Sequence, residues 1–458
     1  MVLSSDPDVR LAFSRDASGI QMLPDSVARA ADAADVVEVM LNAIATGIPV
    51  TPAGSQTSMT AASITDHGTL LSLAGMTRVI DVDTEKRIAR VEPGLTIGDL
   101  NRVLSESGLQ FAPDPTSEND ATIGGAIACN ASGARSLRYG ATRRHVRGVS
   151  VVHADADVAY YSRTGIEKNT VGYAFAQDPI DWFIGSEGTL GIVVEAELSL
   201  VALPASPIGL AIPFASDESA LGFVVAARRQ LDERTGREAR CLEYFDREAV
   251  AMAGDASRRP WSDNEVALVY LEDDAGEGSL DSALDAWLEL GEMHGAVTAS
   301  IRVFDGAQPL RDARVMRHAV PAGMNERGDS FRPQGGRKVS TDWAVPYQRL
   351  SEALAFSREA CALHGAPEPV TYGHAGNGHP HQNFLAEDKE MLGRIYAAVE
   401  DTLRRIVGIG GTVSAEHGLG KLKRDWLTLQ LRPREIAAMR ALKHSLDPRG
   451  LLAPGNIL

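Results

Sequence analysis

Apolar and polar positions along the chain alternate between helical and strand-like blocks. Between residues 25 and 47, Val36, Val37, Met40, Leu41 and Ile44 recur at helical spacing and predict one buried stripe. Asp32 or Asp35 stands at the N-cap of that helix, and Gly47 ends it. Ile48-Pro49-Val50 predicts a short strand. Residues 78–93 alternate as a hairpin around a turn at 84–86. Thr96, with Asp99 at N3, opens a helix with a buried face of Ile97, Leu100, Val103 and Leu104 and a stop at Gly108. Pro113-Asp114-Pro115-Thr116 admits no regular structure.

The pattern changes near Pro204. Glycine clusters give way to longer elements: a strand over 265–271, an acidic loop, then a helix over 280–290. Residues 433–446 form an amphipathic helix carrying Ile436, Met439, Leu442 and Leu446, stopped by Asp447-Pro448-Arg449-Gly450. At 458 residues the chain is too long for one small core, so two domains are expected.

Three runs of small residues interrupt the first half. The loop Thr51-Pro52-Ala53-Gly54-Ser55-Gln56-Thr57-Ser58 offers backbone N–H groups and hydroxyls to a phosphate, and taken alone it reads as an ordinary surface loop. Residues 122–133 pair Gly124 and Gly125 among small neighbours, which lets a backbone approach a flat ligand closely. Residues 185–192 form the third run. No G-x-G-x-x-G occurs, so a Rossmann dinucleotide site is not supported.

Charge narrows the partners. The net charge of −16 disfavours nucleic acid and anionic membranes. Cys129, Cys241 and Cys361 lie far apart and form no zinc knuckle or iron–sulfur run. No apolar run is long enough to span a membrane, and the N-terminus lacks a signal-peptide pattern, so a cytoplasmic protein is expected.

The densest chemistry is C-terminal: Tyr372-Gly373-His374-Ala375-Gly376-Asn377-Gly378-His379-Pro380-His381, and later Glu416-His417. Imidazoles and a carboxylate suit a divalent metal. A histidine directly after the carboxylate is a candidate proton acceptor.

Together these motifs resemble the FAD-linked D-2-hydroxyacid dehydrogenases of the vanillyl-alcohol-oxidase/p-cresol-methylhydroxylase (PCMH) flavoprotein superfamily. That group includes D-lactate dehydrogenase, the glycolate oxidase flavoprotein subunit and D-2-hydroxyglutarate dehydrogenase. The resemblance rests on the loop after Pro49, the 114–125 and 185–191 runs, the His374-to-His381 and 411–418 motifs, and the ending at 446–455.

The resemblance implies an α+β fold. A PCMH-type FAD-binding domain would cover 1–203. A substrate (cap) domain with an antiparallel sheet would cover 204–420 and carry the metal site. A helical segment, 421–458, would return to the FAD domain. It implies His374, His381 and Glu416 as ligands of one divalent metal, zinc first, with Mn²⁺, Fe²⁺ or Co²⁺ also suited. His417 would be the general base, and Arg317, Asn383, Lys338 and His379 would contact substrate. FAD, held noncovalently, would meet Pro52, Gly54, Ser55, Gln56, Thr57, Ser58, Pro113, Asp114, Thr122, Gly124, Gly125, Ala128, Asn130, Gly133 and Tyr139. Glu187, Gly188, Gly191, Ile192 and Asn456 would complete that site, the 187–192 segment at the adenosine end.

The implied reaction is oxidation of a small anionic D-2-hydroxy acid, D-lactate or D-2-hydroxyglutarate, to the 2-oxo acid. Electrons would leave to a quinone, a cytochrome, an electron-transfer flavoprotein or an iron–sulfur partner, and a homodimer is compatible with this. The alternative is an O₂-using oxidase or a non-redox flavoenzyme on the same scaffold. The sequence departs from the family pattern in two places. Ser55 and Gln56 stand where consecutive glycines are usual; Asn377 and His379 replace a usual Asp and Asn.

Overall fold

The structure, a computed structural model, describes residues 3–234, 237–257, 260–275 and 280–458. The chain forms two compact units. One comprises residues 1–133, 140–203 and 416–458; the other comprises 134–139 and 204–415. The long stretch of the second unit begins at Pro204, and the chain re-enters the first at Glu416, ahead of residue 421.

In the first unit a four-stranded sheet runs in the order Leu3–Ser4, Ser26–Arg29, Thr69–Ser72, Val50–Ala53, and its last three strands are parallel. A five-stranded antiparallel sheet is built from Val79–Asp83, Ile88–Val91, Ile192–Ser199, Val146–Val152 and Val158–Ser162. The helix Ala33–Thr46 is capped by Asp32, whose Oδ1 accepts from Asp35 N at 3.0 Å, and it ends at Gly47 in the left-handed region. Its buried stripe is Val36, Val39, Met40 and Ala43. The expected Leu41 is exposed instead, because five residues past Val36 carries it off the stripe. The helix Ile97–Ser105 buries Ile97, Leu100 and Leu104, but leaves the expected Val103 at the solvent rim. The strand expected over 48–50 begins at Val50, after an exposed Ile48.

The C-terminal segment completes the four-stranded sheet. Val50 N donates to Leu451 O at 2.7 Å, and Ala453 N donates to Val50 O at 2.8 Å. The buried Asp447 holds this segment by accepting from Leu451 N and Leu452 N at 2.9 and 2.8 Å.

The second unit is one seven-stranded antiparallel sheet. In chain order its strands are β1 (Pro207–Phe214), β2 (Cys241–Phe245), β3 (Ala267–Asp274), β4 (Arg302–Asp305), β5 (Gly335–Thr341), β6 (Val370–Gly373) and β7 (His381–Asp388). The spatial order is β4-β1-β3-β2-β6-β7-β5. The helix Ala307–Ser330 lays Ala313, Met316, Val320 and Met324 on one face of it, against Leu268, Tyr270, Phe245 and Val370. The acidic loop expected before Leu280 falls elsewhere: Glu272, Asp273 and Asp274 belong to β3, and residues 276–279 lie outside the described residues. Among the described residues no helix is long and apolar enough to cross a membrane.

Candidate active site

Strand register assembles a polar row on a buried sheet face. Side chains alternate across a strand, and paired residues share a face. Glu272 on β3 pairs with Cys241 on β2, and Glu243 with Tyr270. Tyr372 on β6 pairs with His381 on β7, and Asn383 on β7 with Ser340 on β5, with Lys338 two residues away. Glu272, Glu243, Tyr372, His381, Asn383, Ser340 and Lys338 therefore line one side, the side covered by Ala307–Ser330.

That helix delivers Arg317. Its Nη2 donates to Glu243 Oε2 at 3.2 Å, its Nη1 lies 4.0 Å from Glu272 Oε1, and its guanidinium sits 5.4 Å from the Tyr270 ring centroid. Glu272 also accepts from Arg135 Nε at 2.9 Å, and Arg240 Nη1 lies 3.5 Å away. Burial alone would raise the two carboxyls, but the surrounding cations reverse this. His374 and Arg317 bring Glu243 down to about 2, and Arg135, Arg240 and Arg317 do the same for Glu272. These partners favour the ionised form of both buried carboxyls.

His374 follows β6 and is buried, and its Nδ1 meets Glu243 Oε1 at 2.7 Å. A carboxylate on Nδ1 fixes the tautomer and turns Nε2 toward a ligand, the usual arrangement behind a metal-binding imidazole. The His374, His379 and His381 rings lie edge to face, with centroids 5.4, 5.1 and 4.7 Å apart. Glu416 is bonded directly to Ala415, where the second unit ends. Ligand atoms of His374, His381 and Glu416 all lie within 4.8 Å of one another. Two imidazoles and a carboxylate at that spacing fit a divalent metal. His379 is the neighbour of this trio rather than a member.

The other expected substrate contacts are engaged as follows. Asn383 donates to Tyr372 Oη at 2.7 Å and accepts from Ser340 Oγ. Lys338 donates to Asn325 Oδ1, and burial pushes its amine down to about 8. Sequence reasoning missed Glu243, Glu272, Arg135 and Arg240. The available signal was a lone acid inside the apolar strand Cys241–Phe245, because a buried charge needs a partner.

In the first unit the small-residue runs come together. The helix Ile123–Cys129, capped by Thr122, buries Ile123, Ala126 and Ile127 and leaves Gly124, Gly125 and Ala128 partly exposed. That outer face carries two glycines, an alanine and the partly exposed Cys129. A β-carbon at Gly54 would collide with Thr122 Oγ1, and one at Gly133 with the Asp114 carbonyl, so the 54–58 loop, Asp114 and the 122–133 run are in contact. Glu187 N donates to Ala128 O at 2.8 Å, and a β-carbon at Gly188 would strike Pro52 Cγ. Asn456 donates to Glu187 O at 3.1 Å. Such a bare cradle fits a flavin dinucleotide.

Gln56, one of the two departures, takes the left-handed backbone that a glycine there would favour, at φ 56°. Its side chain is anchored on Phe13 O at 2.9 Å. Ile192 packs in the core, Pro113 is buried, and Tyr139 belongs to the second unit, where the Arg240 guanidinium lies 6.0 Å from its ring centroid.

Comparison with known proteins gives the family. Residues 210–457 match the C-terminal domain of FAD linked oxidases, and residues 24–160 match a FAD binding domain. The chain is 29% identical to the glycolate oxidase subunit GlcD of Bacillus subtilis (strain 168), over 98% of this chain and 92% of that one. It is 30% identical to the D-2-hydroxyglutarate dehydrogenase of Xanthomonas citri pv. viticola, over 95% and 89%. It is also 30% identical to the D-lactate dehydrogenase of Archaeoglobus fulgidus, over 94% and 91%. An alkyldihydroxyacetonephosphate synthase structure shares the fold, with a TM-score of 0.71 at 16% identity, covering 99% of this chain and 82% of that one. The two matching domains, which take in the 54–58 loop, the 122–133 run and the histidine cluster, place this chain in the family of FAD-linked oxidases.

Proposed function

We propose that this flavin-dependent oxidoreductase oxidises a D-2-hydroxy acid, D-lactate or D-2-hydroxyglutarate, to the 2-oxo acid. The observation that carries the reading is the His374–His381–Glu416 cluster with His417 next in the chain. When bound, a divalent metal (zinc by the donor set) supplies Lewis acidity at the hydroxyl, and the flavin supplies the hydride acceptor.

The chain's own groups do the rest. His417 accepts the hydroxyl proton. Arg317 retains a buried Nε–H with no acceptor among the described residues, available to a substrate carboxylate. Glu243 keeps His374 in one tautomer. Lys338, on the same sheet face, is the cation for a second carboxylate if the substrate is a dicarboxylate. His379 and Asn383 border the site. Electrons then pass to an external acceptor.

Anaerobic absorbance tests the reading. Purified protein is mixed with D-lactate, then D-2-hydroxyglutarate, with the L-enantiomers as controls. Bleaching of the oxidised flavin band by one D-acid is expected. A yellow protein that no D-acid bleaches would sink the reaction class and favour the non-redox alternative.

A further inference from the structure

Glu187 lies in the run expected to hold the adenosine end of the cofactor, yet its carboxylate is committed to another segment. It is 6% exposed and sits at φ 50°, a conformation that costs a non-glycine residue about 1 kcal/mol. Its Oε1 accepts from Leu419 N at 2.7 Å and its Oε2 from Gly420 N at 2.8 Å. Two successive backbone N–H groups make a small anion-binding nest, and Glu187 fills it. A β-carbon at Gly418 would collide with Glu187 Oε1, so only glycine allows the approach.

The same turn is tied down from two further segments of the first unit. Thr60 Oγ1 donates to His417 O at 3.3 Å, and Lys421 N donates to Thr60 O at 3.0 Å. Ile457 N donates to Gly420 O at 3.2 Å. Asn456 links the anchors, donating to Ala62 O at 2.9 Å and to Glu187 O at 3.1 Å.

We propose that Glu187 is a positioning residue that pins the 418–420 turn and so fixes where the preceding His417 stands. This rests on the reading of His417 as proton acceptor. Gly418 leaves His417 a flexible neighbour, and the carboxylate removes that freedom at two points within three residues. Glutamine cannot replace it fully, because its amide nitrogen would face one of the two N–H groups and lose that acceptor.

The test uses full-length holoprotein carrying Glu187→Gln, with Gly418→Ala as an independent disruption of the same contact. Flavin reduction is followed at several D-acid concentrations and expressed per bound flavin. Amide exchange of peptides covering residues 418–421 is followed by mass spectrometry. Both variants should retain flavin, reduce it about 10–100-fold more slowly at saturation with little change in half-saturating concentration, and exchange faster at 418–421. Wild-type rates per bound flavin, or a loss confined to flavin content, would overturn the proposal and make Glu187 a cofactor-holding group. Unchanged exchange would also overturn it. A wild-type protein that no D-acid reduces counts against the proposed reaction, while the exchange measurement still judges the tether by itself.

Discussion

Glu243 divides its two oxygens between two partners: one meets the His374 imidazole and the other the Arg317 guanidinium. Replacing it by glutamine keeps the shape but removes the nearer of the two carboxylates facing the buried Arg317. Glu243→Gln should weaken Zn²⁺ or Co²⁺ binding about 10–100-fold in a chelator competition and cost about 3–5 kcal/mol in urea unfolding. Metal affinity equal to wild type would show that the carboxylate does not tune His374. Lys338 gives a pH signature. Its folded pKa, about 8, lies below the ordinary 10.5, so the folded chain sheds this proton first. The contribution is fully present above 10.5 and is lost as pH falls through 8, so stability should rise with pH across that window. Lys338→Met should be more stable than wild type at pH 7 by about 1 kcal/mol, with the gap closing toward pH 10.5. A constant gap would show that the amine is not desolvated.

At the scale of elements, packing decides between neighbours that look equivalent in sequence. Leu104 is 1% exposed and Val103 49%. Leu104→Ala should cost about 2–5 kcal/mol, and Val103→Ala within about 0.5 kcal/mol, by denaturant unfolding. Comparable costs would mean the helix has turned. Thr96→Ala should cost about 1 kcal/mol through its lost cap on Asp99 N. Helix ends were legible because caps are local: Asp32, Thr96 and Gly47 act within one turn. The glycine runs were legible because few other uses explain paired glycines. The Glu243–Arg317–Glu272 network was not, because it depends on register. All five residues of β2 are buried, so no alternation marks which face Glu243 occupies. Arg317 reaches it from a helix about 70 residues further on, at a separation of 74.

At the scale of the whole chain, the first unit is assembled from three stretches, and its last stretch is an integral part. Asp447 is buried and satisfies Leu451, Leu452 and Lys443. Asp447→Asn should lower stability by about 2–4 kcal/mol and reduce flavin retention on gel filtration, because it leaves Lys443 without its counter-charge. Unchanged flavin content would show that the segment is dispensable to the cradle. The sheet edge at Val50 also imposes an order on biosynthesis. Val50 pairs in register with Thr69 early, but its own N–H and C=O bond to Leu451 and Ala453, which are made about 400 residues later. At about 5–20 residues per second a ribosome takes roughly 20–80 s to cover that distance. Throughout that interval the nascent chain carries an open strand edge, immediately before the 54–58 loop. Residues 204–415 can fold in the meantime, whereas a chain stalled before Leu451 would present the loop without its finished support. If the finished edge is required by the cradle, a chain lacking residues 446–458 should retain no flavin on gel filtration; retained flavin would show that capture does not wait for the C-terminal segment.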